Sequence, residues 1–437
     1  VRGLVLLGLL LAPVALAQDV QGFVEVRGSW TAGVAGPAWQ IVERIRPTLE
    51  LELHPRLTLS STLEISALQG RTLTRSLEAV VDEATLDLDA TVRQAIRDTL
   101  DDCLRPPGLD QPWRALGQHL QLDRLHLDVY LPGIDLRVGR QALQWGSGLL
   151  INPTDPMPEV LFTEPWRPRR GVNAVRATVP IGEVHQVQAV VSVDDRFRYV
   201  RAAARGTLNA GGADLSLVGA YRGDANNGLI GLDLRGAWAV GVWVEAALHL
   251  GAGGYGEGVY EEFTVGLDYV APVLERIVIA GQYYRTGRRS TGLPALTGAL
   301  PLHGEDCAWA PDPADLPVTD PFASPLTGND YLLLSVLAGL VPELSIGVVG
   351  LQNLGDGSGV VVPTVTTRPT EWLSIALSAQ LPYQAWGEGG EFRPTEDQLR
   401  GWLAASGVAG GALLALDPEL GGLVPDASVA LWARANF

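Results

Sequence analysis

His126 and Asp128 stand two residues apart, the spacing that places both side chains on one face of a β-strand. An imidazole beside a carboxylate is the elementary unit of general-base chemistry. No serine stands beside them in sequence to act as nucleophile, so the pair reads as strand neighbours and the chain as a non-enzyme. His54, His119, His126, His185, His249 and His303 form no His-x-x-x-His pair, and the cysteines form no Cys-x-x-Cys pair. Neither a metal site nor a cofactor is therefore expected. Cys103 and Cys307 are the only cysteines, enough for one disulfide between long loops in an oxidising compartment. What remains is guanidinium chemistry. All 32 basic residues are arginines, whose fork geometry suits carboxylate and phosphate groups, although a GC-rich genome yields the same bias.

The elements that would position these groups begin after an export signal. Arg2 supplies a positive start, Leu4 to Val14 an apolar run, and Ala15-Leu16-Ala17 a small-x-small cleavage site before Gln18. The run is shorter than the roughly twenty residues a spanning helix needs. Residues 1–17 are thus expected to be a removed signal peptide and 18–437 the mature domain. Losing Arg2 leaves 31 bases against 49 acids, a charge of −18, which argues against a nucleic-acid partner.

From Gln21 onward the dominant signal is period-two alternation in segments of roughly ten residues, the length a tilted strand needs to cross a bilayer. In Leu57 to Ser66, Leu57, Leu59, Leu63 and Ile65 face one way, with Ser61 the polar exception, and Thr58, Ser60, Thr62, Glu64 and Ser66 face the other. Counting such segments gives about eighteen strands, an even number as bacterial single-chain barrels have. Short connections such as His54-Pro55-Arg56 and Leu131-Pro132-Gly133 recur at every second position. Long ones, Ala67 to Leu120, Ala142 to Gly171, Thr286 to Asn329 and Leu381 to Asp426, fall between them. A soluble sandwich has no reason to sort its loops this way. The predicted fold is all-β, a single transmembrane antiparallel up-and-down barrel with short periplasmic turns and long extracellular loops containing short helices.

Two further signals agree. Outward aromatics gather at strand ends, Trp30, Tyr221, Tyr283 and Tyr331 at the outer ends and Trp238 and Tyr269 at the inner ends, as lipid headgroup girdles require. The final strand carries Val429, Leu431, Ala433, Ala435 and Phe437 on one face and resembles the C-terminal assembly signal of outer-membrane barrels. The Gram-negative outer membrane is the expected location, with its lipid as partner.

With apolar residues toward lipid, the opposite register is charged. Arg46, Arg137, Arg176, Arg201, Arg205 and Arg235 line the predicted lumen together with acids that include Glu25, Asp128, Asp233, Glu245 and Asp268. Two readings stay open: an arginine-rich wall at middle depth, or arginines paired with acids to hold the register.

Arg137-x-Gly139-Arg140-Gln141, followed by Trp145-Gly146, resembles the strand-to-loop signature of alginate-export-type porins and related uncharacterised outer-membrane barrels. The resemblance covers about ten residues and implies a barrel of about eighteen strands and, for the exporters, passage of an anionic polysaccharide through an Arg-lined lumen. Asn152-Pro153-Thr154-Asp155-Pro156 departs from that pattern. The loop that follows carries five prolines beside Asp155, Glu159, Glu164, Arg167, Arg169 and Arg170, a composition suited either to a constriction folded into the pore or to a stiff external loop. Ser76 to Leu100 has helical spacing, and Thr395 with Gln398 forms a capping box, so loop helices are expected as a gate or a lid. The functional expectation is a porin-like channel for small hydrophilic solutes or saccharides, anionic ones among them. The alternatives are a non-conducting surface barrel for attachment or structure, and exopolysaccharide export.

Overall fold

The computed structural model describes residues 19–32, 38–71, 120–157, 169–193, 197, 199–223, 227–251, 258–287, 326, 328–393, 395, 397–398 and 427–437. Eighteen strands follow one another: β1 (Asp19–Ala32), β2 (Ala38–His54), β3 (Leu57–Arg71), β4 (Leu120–Leu131), β5 (Ile134–Gln141), β6 (Val172–Ile181), β7 (His185–Val193), β8 (Val200–Ala210) and β9 (Ala213–Arg222). The second half holds β10 (Asn227–Ala237), β11 (Gly241–Gly251), β12 (Gly258–Ala271), β13 (Arg276–Thr286), β14 (Asp330–Val341), β15 (Leu344–Asn353), β16 (Ser358–Thr367), β17 (Leu373–Gln384) and β18 (Ala427–Asn436). Each strand pairs antiparallel with its chain neighbours, and β1 pairs with both β2 and β18, which closes the sheet. Closure leaves no open edge, the condition under which strands satisfy their backbone groups inside a bilayer. At the seam Gly22 and Phe437 exchange backbone hydrogen bonds of 2.9 and 3.0 Å.

The alternation in the sequence becomes a two-faced wall. On β11, Trp243, Glu245, Ala247 and His249 are buried on the inside while Ala246, Leu248 and Leu250 are exposed on the outside. Leu217, Ile230, Leu267, Leu334 and Leu431 extend the same apolar outer band. Such a continuous apolar exterior is what lipid covers and water does not tolerate. Exposed Trp30 and Tyr221 stand at one rim, Trp238 and Tyr269 at the other.

Tyr331 departs from the expected girdle. It is 1% exposed and faces inward beside Tyr284, because Leu332 and Leu334 set the outward parity of β14. A second departure lies in β4, where Thr62 pairs with Arg124 but Leu63 pairs with Leu122. Asp123 is the extra residue of this bulge, which turns both Asp123 and Arg124 inward between the exposed Leu122 and Leu125.

Residues 1–17 and 76–100 lie outside the described residues, as do Cys103 and Cys307. The capping-box contacts form, with Thr395 N donating to Gln398 Oε1 at 2.9 Å and Gln398 N to Thr395 Oγ1 at 3.2 Å, but beyond the helical backbone of residues 397–398 no loop helix is seen among the described residues.

Candidate functional site

The inner face of β1 to β5 is an interlocked ion-pair network. Glu25 accepts from Arg44 at 2.9 Å and from Arg434 at 2.9 Å, and Arg44 lies 3.4 Å from Glu64. Arg46 is buried against Asp123 and also reaches Glu64 at 4.0 Å, while Arg124 lies 3.5 Å from Asp123. Asp128 takes a two-pronged bond from Arg137, at 2.5 and 3.0 Å, with His126 at 3.6 Å. On this arc each of these five arginines has a carboxylate within 4.0 Å. His126 and Asp128 are neighbours in that network, with Ser60 and Thr58 opposite them across the β3–β4 ladder.

The next arc differs. Arg137 on β5 is paired directly across the ladder with Arg176 on β6, and like charges so placed repel. Among the described residues Arg176 has no carboxylate within ion-pair reach, and Asp128, committed to Arg137, acts on it only through space. Arg205 on β8 likewise has no acid within ion-pair distance among the described residues, and Asp233 and Asp155 act on it through space. It bonds Gln188 Oε1 at 3.4 Å and stands 5.1 Å from the Trp145 ring. Arg201 donates to Met157 Sδ at 3.5 Å. More than half exposed, Arg235 donates to the Ser147 carbonyl at 3.1 Å and lies 3.9 Å from Asp268. Arg137, Arg176 and Arg205 each stand near the middle of their strands, so the under-neutralised charge sits at middle depth.

The strand-to-loop motif has a local geometric cause. Gly139 has φ +123°, and a Cβ there would stand 2.2 Å from the Leu125 carbonyl oxygen. Gln141 is fully buried and donates to the carbonyl of Ala174 at 3.0 Å and of Arg137 at 3.2 Å, holding the distorted end of β5. Gly146 has φ +93°, and a Cβ there would approach Glu245 Oε2 at 2.8 Å. A side chain is therefore excluded at both glycines.

Beyond Gly146 the loop runs inside the barrel. The buried Glu245 carboxylate on β11 accepts four hydrogen bonds from it: Ser147 N and Gly148 N at 2.7 Å each, Thr154 Oγ1 at 2.7 Å and Thr154 N at 3.3 Å. Gln282 on β13 accepts from Leu149 N at 2.7 Å and donates to the Ile151 carbonyl at 2.9 Å. Trp145 Nε1 donates to Gln188 at 2.7 Å, and Ile151 packs with Tyr284, Tyr331, Leu333 and Leu351. Residues 145–151 thus bridge from β7 to the β13–β15 wall.

Of the six loop residues singled out from sequence, Asp155 and Arg169 meet in a 2.5 Å ion pair, and Arg169 also donates to the carbonyls of Leu143 and Met157 at 3.3 Å each. Burial pushes the Asp155 carboxyl up, opposed by Arg169 and the Met157 N–H. Arg170 is exposed, and Glu159, Glu164 and Arg167 lie outside the described residues. Asp123, Gln188 and Gln282 were missed. Asp123 alone had a sequence signal, the slip in apolar spacing from Leu120 and Leu122 to Leu125 and Leu127.

No family model matches the chain, and no curated protein matches it by sequence. Solved outer-membrane channels share its fold. OccK11 (OpdR) of Pseudomonas aeruginosa is 11% identical over 96% of each chain, with a TM-score of 0.51. OccK2 (OpdF) of the same organism, solved in complex with glucuronate, is 9% identical over 96% of this chain and 98% of its own, with a TM-score of 0.52. OprD from that organism is 10% identical over 97% of each chain, with a TM-score of 0.50.

Proposed function

We propose that this chain is exported by its first 17 residues to the Gram-negative outer membrane and acts there as a channel for small hydrophilic solutes, with a preference for anions that includes acidic saccharides. The observation that carries the reading is the opposed pair Arg137 and Arg176, continued by Arg205, of which Arg137 alone has a carboxylate within ion-pair distance among the described residues. An eighteen-stranded barrel encloses an aqueous passage unless loops fill it. The charge of −18 counts every loop, whereas loop carboxylates in water are screened beyond roughly 8 Å at physiological salt. Guanidinium groups within the lumen act on a permeating ion at closer range and between low-dielectric walls, so local sign outweighs net sign. A shared fold with OccK2, whose solved complex holds a sugar acid, is consistent with this class of solute. The loop through Trp145 and Ile151 serves as the constriction in this reading.

That same loop favours a second reading, a non-conducting surface barrel, because Glu245 and Gln282 hold it across the lumen. Planar-bilayer recording on purified protein decides between them. Steady ohmic steps support the channel, and silent insertion supports the surface barrel. Polysaccharide export has no observation of its own here, since the motif that resembles the exporters is accounted for by Gly139, Gln141 and Gly146.

A further inference from the structure

On the side of the crossing loop away from the arginines, a cavity of about 850 Å³ opens against β14–β18. Its apolar lining comes from Leu149 and Leu150 of the loop and from Leu333, Leu337, Val349 and Trp432 of the barrel. Leu149 is 48% exposed and Leu337 41% exposed, although parity turns Leu337 inward. A lumen that carries only water and ions is polar, so large apolar side chains left bare inside it call for a guest that covers them.

The polar part of the lining is uncharged apart from Arg434 and, at the rim, Arg368 and Glu371. Ser335, Ser345, Thr364, Thr366 and Ser374 present hydroxyls that bond no other group among the described residues. Of the two arginines that line the cavity, Arg434 is already held by Glu25 at 2.9 Å. Arg368 and Glu371, one of each sign, come from the short turn between β16 and β17 at its rim. The under-neutralised Arg176 and Arg205 belong to the opposite arc, β6 and β8. An ionised guest seated deep in the cavity, away from the rim, would therefore bury its charge beside no charged group except the already paired Arg434, which is costly. A guest with an apolar ring or short chain on one side and hydroxyl or amide groups on the other would satisfy both linings. The volume lies within the roughly 300–1,000 Å³ of small-molecule sites.

We propose that this cavity is a binding site for a neutral amphipathic small molecule, separate from the anion path, so that the crossing loop divides the lumen into two chemically distinct halves. The proposal rests on the channel reading only for its electrical readout. The probe is 4-nitrophenyl β-D-glucoside, with glucose as the control that keeps the sugar hydroxyls and lacks the nitrophenyl ring. Single-channel current is recorded with either compound on both sides, and saturation-transfer NMR from protein to the aryl protons is measured on the same preparation. The expected result is transient block and saturation transfer with the aryl glucoside and neither with glucose at equal concentration. Leu337→Ser should weaken binding by roughly tenfold through loss of apolar contact. Val349→Thr, nearly the same shape, should weaken it without altering the packing and stands in if Leu337→Ser does not fold. Equal block by glucose, or a signal unchanged in both variants, overturns the site. Steady conductance with neither block nor transfer overturns the site and leaves the channel standing. Saturation transfer without conductance supports the site and overturns the channel.

Discussion

Arg137 and Arg176 stand directly opposite one another across the β5–β6 ladder, and the one carboxylate bonded there, Asp128, is committed to Arg137. Opposed like charges are destabilising by roughly 0.2–1 kcal/mol, so the arrangement is kept against the stability of the wall. Arg176→Ala is expected to raise the unfolding midpoint slightly in urea titrations of the refolded protein. A fall of more than about 1 kcal/mol would mean that Arg176 holds the barrel together, which contradicts its assignment to the passage.

Glu245 is the fastening point of the crossing loop. Glu245→Ala removes four acceptor contacts at once and leaves the loop N–H groups unpaired, a loss of about 3–5 kcal/mol in loop anchoring. The expected result is a larger and noisier single-channel conductance with the barrel still folded. Glu245→Gln should lie between the two, because its amide nitrogen faces donors on Thr154 or on the Ser147–Gly148 turn. Unchanged conductance in both would detach this loop from the constriction.

Asp155 and Arg169 make a pair whose pH dependence has a defined sign. Burial raises the folded carboxyl above its ordinary value, and Arg169 opposes that rise. In Arg169→Ala the opposition is gone, so the folded state takes up a proton at higher pH than the unfolded chain. Stability should then be about 3 kcal/mol lower at neutral pH and recover as pH falls through the folded pKa toward the unfolded one. Asp155→Asn should lack that recovery. Unfolding midpoints across the acidic range check it, and a variant Arg169→Ala that weakens further on acidification would contradict it.

The exterior makes a claim of its own. Leu217, near the middle of β9 and 62% exposed, faces the proposed lipid. Leu217→Arg should cost about 2–4 kcal/mol of folding free energy in phospholipid vesicles, as arginine does at the bilayer midplane. A cost near zero would place that face in water.

Strand count and barrel phase were legible because each spanning strand must repeat period two over its length, with turns such as Leu131-Pro132-Gly133 marking alternate ends. A strand-end position points Tyr331 to the outer girdle, whereas the parity set by Leu332 and Leu334 turns it inward. Asp123 was missed because one inserted residue flips every side chain beyond it. The role of Glu245 had no local signal at all, since its partners Ser147, Gly148 and Thr154 stand 91 to 98 residues away. Which arginines are balanced was equally hidden, because cross-strand partners depend on register that composition does not carry. Arg46 and Arg176 are the same residue type on the same lumen face, yet Arg46 is buried against Asp123 and Arg176 is not matched.

In the proposed channel, local arginine charge rather than the acidic net charge of −17 sets what passes. The reversal potential of single channels in a tenfold potassium chloride gradient measures this directly. Wild-type protein is expected to reverse on the chloride side of zero, and the triple variant Arg137→Ala, Arg176→Ala, Arg205→Ala to move toward potassium. Cation preference in the wild type, or a reversal potential that the triple variant leaves where it was, would contradict the account.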